Sequence, residues 1–146
     1  WKLIIAGDGP HKTTLQEIAK KMNDNVIFMG YVTPIEKSKL LAESNALLFP
    51  SLCEGFGLVI LEAFAQNRPV LVSDLKPMSD IITHGDTGYV LDPNDESIWA
   101  EHILKLVKNP EESQRMGKNG NVLLKTKYNQ EVFYEKLVKM YNDLLY

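Results

Sequence analysis

Short apolar runs alternate with helical patterns from the start of the chain to about residue 108. The runs predict five strands, at Leu3–Ala6, Val26–Met29, Ala46–Phe49, Val70–Ser73 and Gly88–Leu91. Most of these runs are apolar throughout rather than alternating, which is typical of strands covered on both faces. A sheet buried between two layers of helices is therefore the expected setting.

The segments between these runs carry helix signals. One apolar stripe with helical spacing contains Leu15, Ile18, Ala19 and Met22. The stretch Thr33-Pro34-Ile35-Glu36 combines a hydroxyl N-cap, proline at the first helical position and a glutamate three residues after the cap. Further helices are predicted near Gly57, near Pro77 and through Trp99, His102, Ile103 and Leu106. Strands alternating with helices predict an α/β fold with a Rossmann-like parallel sheet and helices on both faces.

After Asn109 the pattern is purely helical. Asn109-Pro110-Glu111-Glu112 repeats the arrangement of cap, proline and glutamate. The last apolar stripe contains Phe133, Leu137, Met140, Tyr141 and Leu144. This stripe is expected to lie in the core or to dock on another domain. We predict a single domain over residues 1–146 with a C-terminal helical tail, and, since the chain opens inside a strand, a piece of a longer protein.

Composition adds a few exclusions. With 146 residues, 45% apolar and 24% charged, the chain is typical of one soluble globular domain. A net charge of −3 gives no basic field for nucleic acid. The single cysteine excludes an internal disulfide, and no apolar run approaches the roughly 20 residues of a membrane span. These features, with no signal peptide in evidence, predict a cytoplasmic protein. Peripheral attachment at the inner face of the membrane stays open, although Lys136 and Lys139 make only a thin basic face.

The end of the third predicted strand carries the most informative polar segment. Ligands of open parallel sheets bind at the carboxyl ends of the strands, against the following helix N-termini. Gly55-Phe56-Gly57 places two glycines at such a turn, where the backbone can adopt positive φ and a ligand can approach the amides. The free N–H groups near Gly57, Leu58 and Val59 then form an anion site without any lysine, suited to a diphosphate.

Two carboxylates flank this turn. Glu54 precedes it, and Glu62 lies one further helical turn along, with a side chain that leans back toward the helix N-terminus. Carboxylates repel phosphates but accept hydrogen bonds from sugar hydroxyls. In a chain with eleven glutamates the spacing alone is ordinary, and a solvated glutamate beside an ordinary tight turn explains it equally well.

The surrounding string decides between these interpretations. Glu54-Gly55-Phe56-Gly57-Leu58, with Glu62 eight positions after Glu54, resembles the signature of retaining GT-B glycosyltransferases of the E-x7-E type, glycosyltransferase family 4 or group 1. Matching stretches also lie at Leu3–Pro10, Val26–Val32 and Gly85–Asp95. The resemblance covers about residues 3–108 and identifies the chain as similar to the C-terminal, nucleotide-sugar-binding domain of such enzymes.

The resemblance implies a role for each matched residue. Glu54 would be the catalytic residue that contacts the transferred sugar, together with the backbone from Gly55 through Phe56 to Gly57. The backbone at Leu58 and Val59 would hold the diphosphate. Glu62 would hold the ribose hydroxyls. Val32 would contact the base through its main chain.

The resemblance also implies the ligands. No cofactor and no metal are expected, and the substrate is a UDP- or GDP-sugar whose leaving diphosphate is stabilised by amides and basic side chains. The acceptor, a glycan or a lipid-linked precursor, would bind an N-terminal domain that is absent here, as is the first strand of this domain. The chain alone is therefore expected to be inactive.

The sequence departs from the family pattern at one strand end. Many relatives have Gly-Gly and then a glutamate after the Ser-Asp strand end, where this chain has Lys76-Pro77 and Asp80. Lys76 is interpreted either as a cation near the donor or as a solvated loop lysine. The Arg and Lys that relatives place on the diphosphate lie upstream of the first strand, outside this sequence.

Other classes of protein remain as alternatives. A dinucleotide fingerprint beginning at Gly7-Asp8-Gly9 fails because its third glycine position is Lys12. A GT-B-type sugar-nucleotide epimerase and a non-catalytic Rossmann-like binding domain, such as a receiver domain or a degenerate transferase, share the fold. Cys53 is interpreted as a small buried thiol rather than a nucleophile, since no partnered base is visible.

Overall fold

The computed structural model describes residues 1–22 and 25–145, in which five strands alternate with helices before two final helices. In chain order the elements are β1 (Leu3–Ala6), α1 (Lys12–Ala19), β2 (Val26–Gly30), α2 (Pro34–Glu43), β3 (Leu47–Phe49), α3 (Leu58–Ala65), β4 (Val70–Ser73), α4 (Met78–Ile81), β5 (Gly88–Leu91), α5 (Glu96–Lys108), α6 (Pro110–Lys127) and α7 (Gln130–Leu145). Each predicted strand is confirmed to within one residue at either end. The chain forms two compact units, residues 1–40 and 41–146.

The first unit contains a two-stranded parallel sheet. β1 pairs with β2 from Leu3 opposite Val26 onward, with a register shift between Ile5 and Ala6. The start of α2 is fixed by the predicted capping box. The Thr33 N–H and hydroxyl both donate to Glu36 Oε2 at 2.7 Å, and the Glu36 N–H donates back to Thr33 Oγ1 at 3.3 Å. These bonds, led by the one from the Thr33 backbone, lower the pKa of Glu36.

The second unit contains a three-stranded parallel sheet in the order β3-β4-β5. β4 is central, and all four of its residues are buried. Because side chains alternate along a strand, β4 contributes to two cores: Val70 and Val72 pack in one, and Leu71 packs in the other. The buried strand predicted from the apolar run at 70–73 is confirmed.

Helices cover both faces of this sheet. The first core contains Ile60 and Phe64 of α3 together with Met78 of α4. The second core contains Leu106 of α5 and Met116 of α6. The predicted layered α/β class is therefore confirmed, although the five strands form two sheets rather than one. The apolar runs of β1 and β2 were expected to be covered on both faces, but some of their residues, such as Ile4 and Met29, are exposed. The single-domain assignment stays a prediction.

Helix α6 approaches α3 closely because glycines face it. A Cβ added to Gly117 would collide with the backbone carbonyl of Asn67, and one added to Gly120 would collide with the ring of Phe64. Asn121 strengthens the contact, since its Nδ2 donates to the Phe64 carbonyl at 3.0 Å and so satisfies a carbonyl at the end of α3. The helix that begins at the candidate site is thus held from its far end.

We expect Gly117→Ala to destabilise the chain by about 1–3 kcal/mol, although alanine is the better helix former. The reason is that the neighbouring Asn67 carbonyl belongs to the backbone and cannot rotate away. Urea unfolding followed by circular dichroism measures the change. Lys118→Ala, at an exposed position of the same helix, is the control and should be near neutral; equal stability of the two variants would contradict the packing account.

β5 is joined to the helices beside it through Tyr89. The buried Tyr89 hydroxyl donates to Glu112 Oε1 at 2.9 Å, and Lys105 Nζ lies 3.2 Å from the same oxygen. The hydrogen bond from Tyr89, followed by that from Lys105, lowers the pKa of Glu112, whereas burial raises the pKa of Tyr89. Asn109, predicted as a side-chain cap for α6, instead donates to the Lys105 carbonyl.

The lowered pKa of Glu112 predicts an acid-sensitive contribution to stability. Since the folded-state pKa lies below the ordinary value of 4.5, the contribution is present above that pH and is lost as the pH falls through the folded-state pKa. Thermal unfolding of wild type and Glu112→Gln should therefore differ at pH 7, and the difference should disappear once the pH falls below the folded-state pKa of Glu112. Glu111→Gln is the control, and a constant difference for Glu112→Gln at every pH would count against the linkage.

The final helix α7 leaves most of its predicted apolar stripe exposed. Phe133 is 66% exposed, Tyr141 58% and Leu144 75%. The expectation that this stripe lies in the core is therefore wrong, and docking onto another domain stays a prediction. Among the described residues, no helix has the length and apolar character to cross a membrane.

Candidate functional site

Two loops of the second unit follow neighbouring strands at one edge of the sheet. β3 and β4 run parallel with Phe49 opposite Val72, so their carboxyl ends lie at the same edge. Residues 50–57 connect β3 to α3, and residues 74–77 connect β4 to α4. This is the edge at which open α/β sheets bind ligands.

The turn before α3 depends on one glycine. Gly57 is the N-cap of α3, in the left-handed region with φ 84° and ψ 48°. A Cβ at this position would lie 3.0 Å from Ile60 Cδ1 and 3.6 Å from Met78 Cγ. Gly55 differs, since its φ is not positive and its surroundings are open. The predicted glycine turn is thus present, but only Gly57 needs glycine for its conformation.

The N-terminus of α3 lies where the sequence predicts an anion site, and its first amides have no side-chain cap. The first intrahelical bond in this region runs from the Ile60 N–H to the Gly57 carbonyl at 2.9 Å. The N–H groups of Leu58 and Val59 therefore come before the helical ladder, at the positive end of the helix dipole. Gly57 has no side chain to cap them, and Leu58 is 67% exposed. No side chain of the N-cap residue therefore covers these amides, and the helix begins at an exposed residue.

Both candidate carboxylates lie in this segment, in different surroundings. Glu54 is half-buried, and its Oε1 accepts the Gly55 N–H at 3.0 Å, which fixes the carboxylate against the turn. Glu62 is also half-buried, and its Oε2 atom is shielded from solvent. A carboxylate held partly out of water accepts hydrogen bonds from hydroxyl groups more strongly than a solvated one.

The loop of residues 50–57 makes one contact that the sequence did not predict and contains one residue whose burial was predicted wrongly. The Phe56 ring is 41% exposed and meets the Tyr128 ring edge-on, with centroids 6.2 Å apart. Sequence reasoning missed Tyr128, because it comes from the end of α6 and has no local signal. Cys53 is exposed, so its expected burial is wrong: the loop turns outward here, and Ser51 Oγ donates to the Cys53 carbonyl at 2.9 Å.

Val32 belongs to the first unit. It is half-buried and lies two residues after Gly30, whose φ of 66° lets the chain turn at the end of β2. The structure thus brings Glu54, the turn residues and Glu62 together in one segment, and it places Val32 in a separate unit. Among the described residues there is no group of three or more His, Cys, Asp or Glu side chains that could hold a metal ion.

The architecture and the helix-opening glycine turn define the class of protein. A parallel sheet with helices on both faces and a C-terminal helical tail matches GT-B glycosyltransferase structures. The model of the family "Glycosyl transferases group 1" matches residues 1–122. The chain belongs to this family of glycosyltransferases.

Individual proteins agree with this assignment. N-acetyl-alpha-D-glucosaminyl L-malate synthase of Bacillus anthracis is 32% identical over 146 residues, which is 99% of this chain and 38% of that protein. A mutant of Staphylococcus aureus TarM, solved in complex with Fondaparinux, alpha-GlcNAc-glycerol and UDP, is 29% identical with a TM-score of 0.87 over 97% of this chain and 29% of that one.

A second solved structure is closer to this chain in length. The C-terminal domain of the group 1 family protein LpcC from Francisella tularensis is 25% identical with a TM-score of 0.81, and covers 89% of this chain and 71% of its own. By contrast, the chain spans less than two fifths of the length of the Bacillus synthase.

Gly57 has a positive φ and close neighbours, whereas Gly55 has neither, so alanine substitution should affect the two positions differently. We expect Gly57→Ala to lower stability by about 1–2 kcal/mol, since alanine in the left-handed region is strained and its Cβ meets Ile60. Gly55→Ala is the matched control and should be close to neutral. Urea unfolding of both variants tests this, and an equal loss of stability in the two would contradict the assignment of the turn to Gly57.

Proposed function

We propose that this chain is the donor-binding, C-terminal domain of a retaining glycosyltransferase, which transfers a hexose from a UDP- or GDP-sugar to a glycan, lipid or polysaccharide-precursor acceptor. The observation that carries the proposal is the left-handed Gly57 opening α3 between Glu54 and Glu62. The family match favours sugar transfer over the epimerase and non-catalytic alternatives. The similarity to TarM, solved with UDP, and to a C-terminal domain solved by itself supports the assignment of this chain as the donor-binding domain.

The diphosphate would bind at the start of α3. The Leu58 and Val59 amides precede the first hydrogen bond of the helix, and the helix dipole adds positive potential at the same place. A left-handed Gly57 with no side chain lets the phosphates approach the backbone. This arrangement stabilises the charge that develops on the leaving diphosphate without a bound metal or cofactor.

The two carboxylates would bind the neutral parts of the donor. Glu54, fixed by the Gly55 N–H, would accept hydrogen bonds from hydroxyls of the transferred hexose, beside the backbone of Phe56. Glu62 would accept hydrogen bonds from the ribose hydroxyls. A carboxylate near the anomeric carbon also favours the positive charge that develops there as the diphosphate leaves.

The remaining contacts involve other parts of the protein. Val32 would contact the base through its main chain. The acceptor would bind an N-terminal domain, so this chain alone would not turn over substrate. We further propose a cytoplasmic location, where nucleotide-sugar donors are available, with peripheral membrane contact when the acceptor is a lipid.

The ribose role of Glu62 predicts an order of affinities. Calorimetric titration of the 146-residue chain with UDP and GDP should show weak binding of one of them. Glu62→Ala should reduce that affinity by about fivefold to tenfold, whereas Glu54→Ala should change it little because free nucleotide lacks the hexose. Equal affinities of wild type and Glu62→Ala would rule out the ribose assignment.

The sugar role of Glu54 predicts a separate effect in the complete enzyme. Glu54→Gln should lower kcat by about a hundredfold or more and leave the affinity for the free nucleoside diphosphate largely intact. Single-turnover measurements and nucleotide titration together test this. Loss of nucleotide binding in Glu54→Gln would assign the residue to the nucleotide rather than to the hexose.

A thermal-shift screen of the complete enzyme with UDP- and GDP-sugars identifies the donor. The cognate donor is expected to give the largest stabilisation, because a ligand that binds only the folded state raises its apparent stability. Absence of any shift with the whole set would argue against a donor site.

A further inference from the structure

The carboxyl edge of the three-stranded sheet is lined mainly by acidic loops. The loops after β3, β4 and β5 comprise residues 50–57, 74–77 and 92–95. They contain four carboxylates, Glu54, Asp74, Asp92 and Asp95. In these three loops, all within the described residues, Lys76 is the only basic residue. A doubly charged or more highly charged anion at this edge would therefore meet net repulsion from the side chains of these loops, and among those side chains only Lys76 would attract it.

Lys76 is close in the chain to a residue that packs against the glycine turn. Met78 begins α4, and its Cγ lies 3.6 Å from where a Gly57 Cβ would be. Lys76 precedes Met78 by two residues, so their Cα atoms are at most about 7.6 Å apart. The Lys76 side chain is 81% exposed, and a lysine stem is long and flexible. Its ammonium can thus reach the space in front of the α3 amides.

The other basic residue near this sheet edge in the sequence, Arg68, makes a hydrogen bond in a different place. Arg68 comes before β4, at the amino edge of the sheet, and its guanidinium donates to the Ala42 carbonyl. Lys76 comes after β4, at the carboxyl edge. Residues 50–80 include both loops and α3, and Arg68 and Lys76 are the only lysine or arginine residues among them.

We propose that Lys76 is a phosphate-contacting residue of the donor site and binds the diphosphate together with the Leu58 and Val59 amides. This inference rests on the function proposed above and deepens it, since it assigns the cation that the second unit contributes. It also gives a role to the Lys76-Pro77 sequence that replaces Gly-Gly.

Lys76 is paired with Asp80, four residues further along the chain. The Lys76 Nζ lies 3.6 Å from Asp80 Oδ1, and the two side chains are 81% and 59% exposed. Ion pairs that are this exposed contribute little to stability, so Lys76 can turn toward a diphosphate at small cost. Lys76 could favour anion binding either by direct contact or by neutralising the charge of Asp80. If it acts only on Asp80, then removing the Asp80 charge should restore the affinity that Lys76→Met loses.

The experiment compares variants of the 146-residue chain by titration at low ionic strength. The variants are Lys76→Met, Lys76→Arg, Lys76→Met with Asp80→Asn, and Lys108→Met, an exposed lysine at the far end of α5. Each is titrated with UDP, GDP and the corresponding nucleosides, and folding is verified by thermal unfolding.

Contact with the diphosphate predicts a specific set of results. Lys76→Met should weaken diphosphate binding by about fivefold to tenfold, whereas nucleoside binding should not change. The double variant should remain as weak as Lys76→Met, Lys76→Arg should recover most of the affinity, and Lys108→Met should match wild type. Raising the salt concentration should narrow the difference between wild type and Lys76→Met.

Other outcomes overturn the proposal. Unchanged diphosphate affinity in Lys76→Met removes Lys76 from the site, and restored affinity in the double variant reduces its role to screening of Asp80. An equal loss for nucleoside and diphosphate assigns it a structural role. Failure of the wild-type chain to bind either diphosphate is a different result, since it overturns the proposed function itself before any variant is compared.

Discussion

The structure of the second unit depends on the complete burial of β4. Its residues Val70, Leu71 and Val72 are inaccessible to solvent, which requires a hydrogen-bonded strand on each side and helices on both faces. β3 and β5 supply the partners, and the two cores divide the side chains of β4 between them. Because all three strands run the same way, their following loops gather at one edge, and this is where the glycine turn and Lys76 lie.

The second constraint is the fixed position of α3. Its far end is held by α6. Gly117 and Gly120 allow the two helices to approach closely, and the Asn121 side chain donates a hydrogen bond to the Phe64 carbonyl. Its near end begins at the left-handed Gly57 with uncapped amides. The helix is thus anchored by α6 while its first amides stay uncapped, and the proposed stabilisation of a leaving anion depends on this arrangement.

Groups that attract anions and groups that accept hydrogen bonds from hydroxyls lie together at this edge. The amides of α3 and the ammonium of Lys76 supply positive potential, whereas Glu54 and the neighbouring acidic loops supply acceptors for hydroxyl groups. Such a mixture fits a ligand with an anionic centre and neutral, hydroxyl-rich ends better than it fits a simple anion. Membership of the group 1 family and the proposed nucleotide-sugar donor agree with this distribution.

The sequence by itself determined the local features: the five strands, the capping box at Thr33 and Glu36, the buried strand at 70–73 and the helix-opening turn before Leu58. These depend on period, proline, glycine and hydroxyl positions within a few residues of one another. Only the tertiary structure decided that Gly57 rather than Gly55 is left-handed, that Cys53 is exposed, that Tyr128 supports Phe56, and that α7 remains uncovered. The contact of Tyr128 with Phe56 joins segments far apart in the chain, and the other features depend on how much of each segment the rest of the fold covers; no local pattern records either.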